Sequence, residues 1–180
     1  MIIIVIGLPG TGKTTFSRAL AEKIGAINLN TDIIRDRLQL RGQYDRNTKR
    51  IIYENMQLEA ARAVRQNKHV VVDGTFYKQR LRDSYQVFAS KNRVGLKWIE
   101  LKAKEATIKS RVDKKRTYSE ADYEVYLKVK ALFEPMKKDC LNLWTDGEAD
   151  LKKLLRKAVQ HLGLASNGEN WISTNDYQRN

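Results

Sequence analysis

The amino-acid sequence predicts an α/β protein with a mostly parallel sheet and helices on both of its faces. Short apolar runs, beginning with residues 1–6, alternate along the chain with longer segments whose apolar residues recur at helical spacing. Residues 2–6 and 70–72 are β-branched throughout, which is typical of strands buried on both faces. Because strands joined through a helix run parallel, the alternation predicts a βα series.

The strands are predicted from these short apolar runs. The first run ends at Gly7 and the third ends at Asp73, so each of them stops at a residue that breaks the apolar pattern. Five strands are expected, at residues 1–6, 26–30, 69–72, 95–101 and 141–144.

The helices are predicted from their apolar stripes. In the first of them, Phe16, Leu20 and Ile24 lie on one side, and Thr31 is expected to cap the second. Seven helices are expected, at residues 13–24, 32–40, 47–67, 78–91, 104–116, 119–136 and 148–162.

Length and composition predict one domain. The chain has 180 residues, of which 1–163 carry the βα pattern and 164–180 form an aperiodic, polar stretch that we expect to be a flexible tail. The single cysteine excludes an intramolecular disulfide. The apolar start is too short for a signal peptide, and no apolar run is long enough to span a bilayer. A cytoplasmic protein is therefore predicted.

The charge is strongly positive. Lysine and arginine exceed the acidic residues by 13, and the isoelectric point is near 9.8. Such a field attracts polyanions and phosphorylated substrates, so a nucleic acid is one candidate partner. Surplus lysines that only keep the surface soluble explain the charge equally well.

Residues 7–14 match the phosphate-binding loop pattern, in which a glycine and four residues precede Gly-Lys-Thr. The loop lies between a buried strand and an amphipathic helix, where backbone N–H groups and the helix N-terminus bind phosphate oxygens. Lys13 is expected to reach the β- and γ-phosphates and Thr14 to bind Mg²⁺, so ATP and Mg²⁺ are the predicted cofactors. The predicted nucleotide-binding residues are Gly7, Pro9, Gly10, Thr11, Gly12, Lys13, Thr14 and Thr15.

A carboxylate follows the second strand. Asp32 begins a helix, and Arg35, three residues on, falls on the same helical face. At the carboxyl edge of the sheet, Asp32 could accept a proton from an attacking hydroxyl while Arg35 binds a phosphate or fixes the carboxylate. The alternative is that Asp32 only stabilises the first turn through the helix dipole. Asp73, at the end of the third strand, is expected to orient Mg²⁺ through water, or to be no more than a solvated cap.

The segment 29–38, together with the loop at 7–14, resembles the AAA-type P-loop kinase family, which includes polynucleotide 5′-kinases and zeta-toxin-like kinases. The resemblance runs from Met1 to about Leu162. It implies a three-layer P-loop NTPase fold with a five-stranded, adenylate-kinase-like sheet and a helical lid. It also implies that Asp32 is the general base and that Arg35 binds a phosphate of the acceptor.

Further site residues follow from the same resemblance. Asp73 and Thr75 are expected beside the acceptor, and Arg82 has a counterpart there, although a surface salt bridge is an equal alternative for it. Arg111 and Arg116 match lid positions that neutralise the transferring phosphoryl group, the alternative being a solvated helix face. The expected catalytic residues are thus Lys13, Asp32, Arg111 and Arg116.

The acceptor is left open by the sequence. Basic residues flank the lid, and others form a patch on the acceptor side: Arg35, Arg37, Arg41, Arg46, Lys49 and Arg50. Tyr44, Phe76 and Tyr77 could stack a base, the alternative being ordinary packing within the protein. The leading hypothesis is therefore a 5′-hydroxyl polynucleotide or nucleotide kinase. A kinase of a sugar, antibiotic or metabolite is the alternative, and a toxin-like kinase of sugar nucleotides is another. A switch ATPase without an acceptor is disfavoured because the added helical domain of ring-forming ATPases is missing. Oligomeric state is not predicted.

Overall fold

A computed structural model describes residues 1–112, 123–136, 139–147 and 150–164. The strands within these ranges are β1 (Ile2–Ile6), β2 (Ile27–Asn30), β3 (Val70–Asp73), β4 (Leu96–Lys102) and β5 (Leu141–Trp144). The helices are α1 (Lys13–Ile24), α2 (Thr31–Arg37), α3 (Arg46–Arg65), α4 (Gln79–Lys91), α5 (Glu105–Val112), α6 (Tyr123–Ala131) and α7 (Leu151–Leu162).

The five strands form one parallel sheet in the order β2-β3-β1-β4-β5, which confirms the predicted fold class. The central strand, β1, pairs with β3 on one side and with β4 on the other. Because all carboxyl ends meet at one edge, the residues that follow β1, β2 and β3 are neighbours in space. Asn30 and Asp73, the last residues of β2 and β3, lie directly opposite each other.

Alternate residues of β1 face two separate cores, as expected for a strand covered on both sides. Ile2, Ile4 and Ile6 pack with apolar residues of α3 and α4, whereas Ile3 and Val5 pack with α1 and α7. The sheet is therefore the middle of three layers. No helix in the described part of the chain is long and apolar enough to cross a membrane.

Several helix ends differ from the prediction, and two of them have an identifiable cause. The cap of α2 is Asn30 and not Thr31: the Asn30 side chain accepts hydrogen bonds from the backbone N–H groups of Asp32 and Ile33, at 2.8 and 3.1 Å. The predicted helix 119–136 ends at Ala131, because Pro135 has no N–H to donate to the Ala131 carbonyl oxygen and its ring would clash with that carbonyl in a continued helix. Three predicted segments extend beyond the described ranges: residues 119–122 of this helix, residues 113–116 of the predicted helix 104–116, and residues 165–180 of the predicted tail.

Candidate active site

The phosphate-binding loop follows β1 in a conformation that only glycine allows at two points. Gly7 has φ 149°, and a Cβ there would lie 2.4 Å from the Leu101 carbonyl oxygen of β4. Gly10 has φ 85°, and a Cβ there would lie 2.8 Å from the Ile108 side chain of α5. The loop is thus packed tightly between β4 and α5, so its backbone is held for binding phosphate.

One carbonyl oxygen of the loop accepts three hydrogen bonds. The Leu8 oxygen accepts hydrogen bonds from the Thr11 N–H at 3.3 Å, the Thr11 hydroxyl at 2.8 Å and Lys13 Nζ at 2.9 Å. This keeps the Lys13 ammonium against the loop, at the N-terminus of α1. Backbone donors, a helix N-terminus and a lysine together form a strong site for phosphate.

Three polar side chains meet where β2, β3 and α1 approach one another. The Asn30 amide donates to the Asp73 carboxylate and to the Thr14 hydroxyl, the latter at 3.3 Å, and Thr14 also hydrogen-bonds Asp73. Burial raises the pKa of the Asp73 carboxyl; the Lys13 charge and the hydrogen bonds from Asn30 and Thr14 lower that pKa, and the Asp32 charge raises it. The first-turn hydroxyl and the strand-end carboxylate are therefore in contact before any ligand binds.

These oxygen donors fit Mg²⁺. Thr14 supplies a hydroxyl and Asp73 a carboxylate, and both are hard oxygen ligands of the kind this ion prefers. Among the described residues, no group of three or more histidines, cysteines or carboxylates could hold a metal by itself. That agrees with an ion held largely by water and substrate phosphates, which is how Mg²⁺ binds beside a phosphate loop.

Asp32 and Arg35 form an ion pair on one face of α2, as their spacing predicts. Arg35 Nη1 donates to Asp32 Oδ1 at 2.8 Å, and the side chains are 8% and 35% exposed, respectively. The carboxylate therefore stays partly open to solvent while its partner is buried. The Asp32 charge acts on Asp73, so the two carboxylates lie near each other. The hydrogen bond from Arg35 orients the Asp32 carboxylate, as the role of a proton acceptor requires.

The loop 74–78 after β3 carries Thr75 and is strained at the next residue. Phe76 has φ 45°, which is rare for a bulky residue, and its ring is fully buried against Tyr53, Tyr85 and Trp98. The Tyr53 hydroxyl accepts a hydrogen bond from the Phe76 N–H at 3.4 Å and hydrogen-bonds the Thr75 side chain. Burial raises the pKa of Tyr53 to about 12, so this hydroxyl stays neutral. The aromatic cluster thus fixes the backbone that presents Thr75.

Arg82 is buried and is not in a surface salt bridge. Only 1% of it is exposed, and its guanidinium donates to the carbonyl oxygens of Phe76, Glu134 and Pro135, at 3.0, 2.8 and 3.2 Å. The Glu134 carboxylate in turn accepts from the Gln79 N–H at the start of α4. Arg82 therefore holds the loop 74–78 against the segment after α6, and its contact with an acceptor stays a prediction.

Of the two predicted lid arginines, the structure describes Arg111 but not Arg116. Arg111, in α5, donates to the Gly10 carbonyl oxygen at 3.4 Å and to the Thr145 hydroxyl at 3.0 Å. Thr145 in turn donates to the Thr11 carbonyl oxygen at 3.0 Å. Arg111 thus ties the phosphate loop to the turn after β5, and its contact with γ-phosphate stays a prediction. Arg116 lies outside the described residues.

The three aromatic residues predicted to stack a base differ in their exposure. Phe76 is fully buried and cannot stack a base, so the prediction was wrong for this residue. Tyr44 is 44% exposed and lies under the Arg35 guanidinium, 4.5 Å from ring centroid to Cζ. Tyr77 is partly exposed, with Lys49 Nζ 5.4 Å from its centroid. Both tyrosines border the side of the site that holds Asp32 and Thr75.

Three site residues were missed by reasoning from the sequence. Asn30 had a usable signal, because it is a polar residue at the end of a buried strand. Tyr53 and Glu134 had none, since each contacts the loop 74–78 from more than 20 residues away along the chain. Their roles depend on packing between helices and not on any local motif.

Comparison with known proteins gives a match to one family model and to solved structures of the same fold. A family model described as an AAA domain matches residues 2–136. A gluconokinase from Sinorhizobium meliloti 1021 has 18% identity and a TM-score of 0.70, over 89% of this chain and 90% of that one. A search of curated proteins found no match.

Two further solved structures share the fold. The APS kinase CysC of Mycobacterium tuberculosis, determined with AMPPNP and APS, has 14% identity and a TM-score of 0.69, over 90% of this chain and 96% of that one. Kti12 of Chaetomium thermophilum, determined with ADP-AlF3, has 15% identity and a TM-score of 0.62, over 89% and 98%. At such identities the likeness shows the fold alone.

Proposed function

The chain belongs to the AAA domain family, and from that premise we propose that it is an ATP-dependent phosphotransferase acting on a hydroxyl of a small molecule. The observation that carries the proposal is the oriented Asp32 carboxylate, which is paired with Arg35 at 2.8 Å, partly open to solvent and near Asp73. A carboxylate in that place can take the proton that an acceptor hydroxyl loses.

The reaction we propose is an in-line transfer. The acceptor oxygen attacks the γ-phosphorus of ATP, the bond to the β–γ bridging oxygen breaks, and ADP leaves with that electron pair. Asp32 takes the proton that the acceptor hydroxyl loses, and Lys13 neutralises charge on the transferring group. Thr14 and Asp73 would hold Mg²⁺, which supplies further charge neutralisation on the phosphates. Thr75 lies where its hydroxyl could orient the acceptor.

A small acceptor is supported by the charges on the acceptor side. Three basic residues counted there from the sequence are in ion pairs: Arg37 with Glu59 at 2.9 Å, Arg41 with Asp36 at 3.7 Å and Arg50 with Glu54 at 3.3 Å. Their charges are therefore partly balanced, and the surface is less suited to tracking a nucleic-acid backbone than the sequence indicates. The gluconokinase and APS kinase among the similar structures are kinases of small molecules by name.

The polynucleotide or nucleotide kinase is retained as the second candidate on two observations. The chain has a formal charge of +13, and the Tyr44 ring is open to solvent on one side of the site. An exposed ring of this kind can stack a terminal base. Under this candidate, Asp32 and Lys13 keep the same roles, and only the acceptor changes.

The test is transfer of label from γ-labelled ATP, with Mg²⁺, to a panel of acceptors. The panel contains sugars, sugar acids, aminoglycosides, nucleosides and a 5′-hydroxyl oligonucleotide, and is run at low salt with the wild type, Asp32→Asn and Asp36→Asn. Asp36 is an exposed carboxylate on the same helix and serves as the matched control. We expect label on a small acceptor, lost with Asp32→Asn only.

Two results would contradict the proposal. Label on the oligonucleotide alone would favour the second candidate. Slow ATP hydrolysis that no acceptor stimulates, and that Asp32→Asn leaves unchanged, would favour a switch ATPase.

A further inference from the structure

We infer that Lys49 is a second anion-binding residue of the acceptor site, which binds a carboxylate or a phosphate of the acceptor beside Arg35. The inference deepens the proposed function and rests on it, because it names the residue that selects acceptors carrying such a group. Binding of an acceptor phosphate by Arg35 is implied by the family resemblance, whereas Lys49 was seen from the sequence only as one charge in a basic patch. The position of Lys49 is what the structure adds.

Lys49 projects from the first turn of α3 toward the loop 74–78. The start of this helix is fixed, because the Asp45 carboxylate accepts from the backbone N–H groups of Asn47 and Thr48, at 2.8 and 3.1 Å. Lys49 is half-buried, and its Nζ lies 5.4 Å from the centroid of the Tyr77 ring. A cation over an aromatic face is held in place but is not neutralised.

The other lysine on the same ring shows the contrast. Lys78 Nζ lies 6.0 Å from the Tyr77 centroid and is paired with Glu134 at 3.1 Å. For Lys49, the described part of the chain offers no carboxylate partner. One of the two cations that flank Tyr77 is therefore balanced within the protein, and the other is available to a ligand.

Arg35 supplies the second cationic point. It is 6% exposed, with Nη1 on Asp32 and Nε 3.3 Å from the Gln43 carbonyl oxygen, while Nη2 has no acceptor among the described residues. Nη2 is not one of the buried polar atoms that lack a partner, so it is accessible to a ligand. Because Arg35 is already paired with Asp32, Lys49 supplies the positive charge that Asp32 does not balance.

The two points border the same space. Tyr53 lies one turn after Lys49 on α3, and its hydroxyl contacts Thr75 and Phe76, which precede Tyr77 in the loop 74–78. The Arg35 charge also acts on the Tyr53 hydroxyl, so Arg35 lies near the same loop. An acceptor whose anionic group lies between Lys49 and Arg35 would therefore have its other end near Thr75 and Asp32. That is the end at which a hydroxyl must lie for phosphoryl transfer. The basic charge of this corner thus selects among hydroxyl compounds.

The experiment compares acceptors that differ only in the anionic group. The pairs are gluconate and glucitol, glycerate and glycerol, and a nucleoside 3′-phosphate and its nucleoside, so that carboxylate and phosphate are tested separately. Binding is measured by isothermal titration with the wild type, Lys49→Met and Lys68→Met, in the presence of a non-hydrolysable ATP analogue. Lys68 is an exposed lysine after α3 and provides the same substitution away from the site.

We expect at least one anionic member to bind tenfold or more tightly than its neutral partner. Lys49→Met should weaken that binding about tenfold, which corresponds to about 1.4 kcal/mol. In turnover it should raise KM with kcat within a factor of about two, because the anion is bound equally in the ground and transition states. Lys68→Met should change neither quantity.

The inference is overturned if no anionic member is preferred, or if Lys49→Met leaves the preference unchanged. Isothermal titration tests both of these outcomes by binding alone, without relying on catalysis. Selective binding of the anionic member without phosphate transfer to it would contradict the proposed function but support the anion site. Phosphate transfer to neutral acceptors alone would support the proposed function but contradict the anion site.

Discussion

The nucleotide side and the acceptor side of the site are built in different ways. The nucleotide side is a contiguous stretch, residues 7–14, whose binding groups are backbone N–H groups, one lysine and one hydroxyl. The acceptor side is assembled from α2, α3 and the loop 74–78, and its groups are side chains that meet only in the folded chain. A site made of backbone can be identified from a motif, whereas a site made of distant side chains cannot.

The two sides also differ in how they are held rigid. Gly7 and Gly10 let the nucleotide loop pack against β4 and α5 without strain. On the acceptor side, Phe76 adopts φ 45° without being a glycine, so its burial must offset the strain. Mutations on the nucleotide side should therefore act on chemistry and on packing directly. Mutations around Phe76 on the acceptor side should act through the position of the loop 74–78.

The largest effect is expected from Lys13→Met. Loss of the ammonium removes charge stabilisation in the transition state, which should lower kcat by about 10²- to 10³-fold with the fold intact. Single-turnover transfer from γ-labelled ATP measures the rate, and circular dichroism checks the fold. Lys23→Met, in the last turn of the same helix, is the control. A loss below tenfold would show that Lys13 does not contact the transferring phosphate.

Gly7→Ala should be the next largest change, this time in stability. The added Cβ would meet the Leu101 carbonyl oxygen at 2.4 Å, and overpacking of this kind costs about 1–3 kcal/mol. Gly25→Ala is the matched control, because Gly25 also has a positive φ but open space around it. Urea unfolding should show a larger loss for Gly7→Ala. Equal losses would mean that backbone conformation alone requires both glycines.

Tyr53→Phe tests the acceptor side without disturbing its packing. It removes the hydroxyl that contacts Thr75 and Phe76, which should cost about 1 kcal/mol of unfolding free energy and raise the KM for the acceptor more than that for ATP. Tyr85→Phe is the control on the other side of Phe76, since the Tyr85 hydroxyl is buried with no partner in the described structure. Its loss should be neutral or stabilising. Equal effects on the two KM values would contradict a positioning role for Tyr53.

The smallest effect concerns Glu134 and acid. The pKa of the Glu134 carboxyl is lowered, first by the hydrogen bond from the Gln79 N–H and then by Lys78. The contact therefore stabilises the folded protein above the ordinary glutamate pKa of about 4.3. This stabilisation is lost as pH falls through the lower pKa of the folded state. Urea midpoints compared between about pH 6 and about pH 3 should fall less for Glu134→Gln than for the wild type. The same pH dependence in both would show that Glu134 does not hold the start of α4.

The prediction from sequence succeeded where structure is local. The start of α1 at Lys13, the strand β5 at Leu141–Trp144 and the buried character of β1 follow from short patterns, and the structure confirms them. The cap of α2 was assigned to Thr31 because a hydroxyl just before a helix is the usual signal. The Asn30 amide takes that place because its oxygen can cap the helix while its nitrogen reaches Asp73.

By itself, the sequence determined the βα order, the anion-binding loop at 7–14 and the Asp32–Arg35 pair, because each depends on backbone or on side chains within one helical turn. Only the tertiary structure decided that Arg82 is a buried clamp, that Phe76 is a strained anchor and that Lys49 has no carboxylate partner within the described part of the chain. Those roles depend on which residues parallel strands and packed helices bring together across long stretches of chain. A sequence shows which residues are charged or aromatic. Whether a charge is paired or a ring is buried depends on which residues lie next to it in the folded chain.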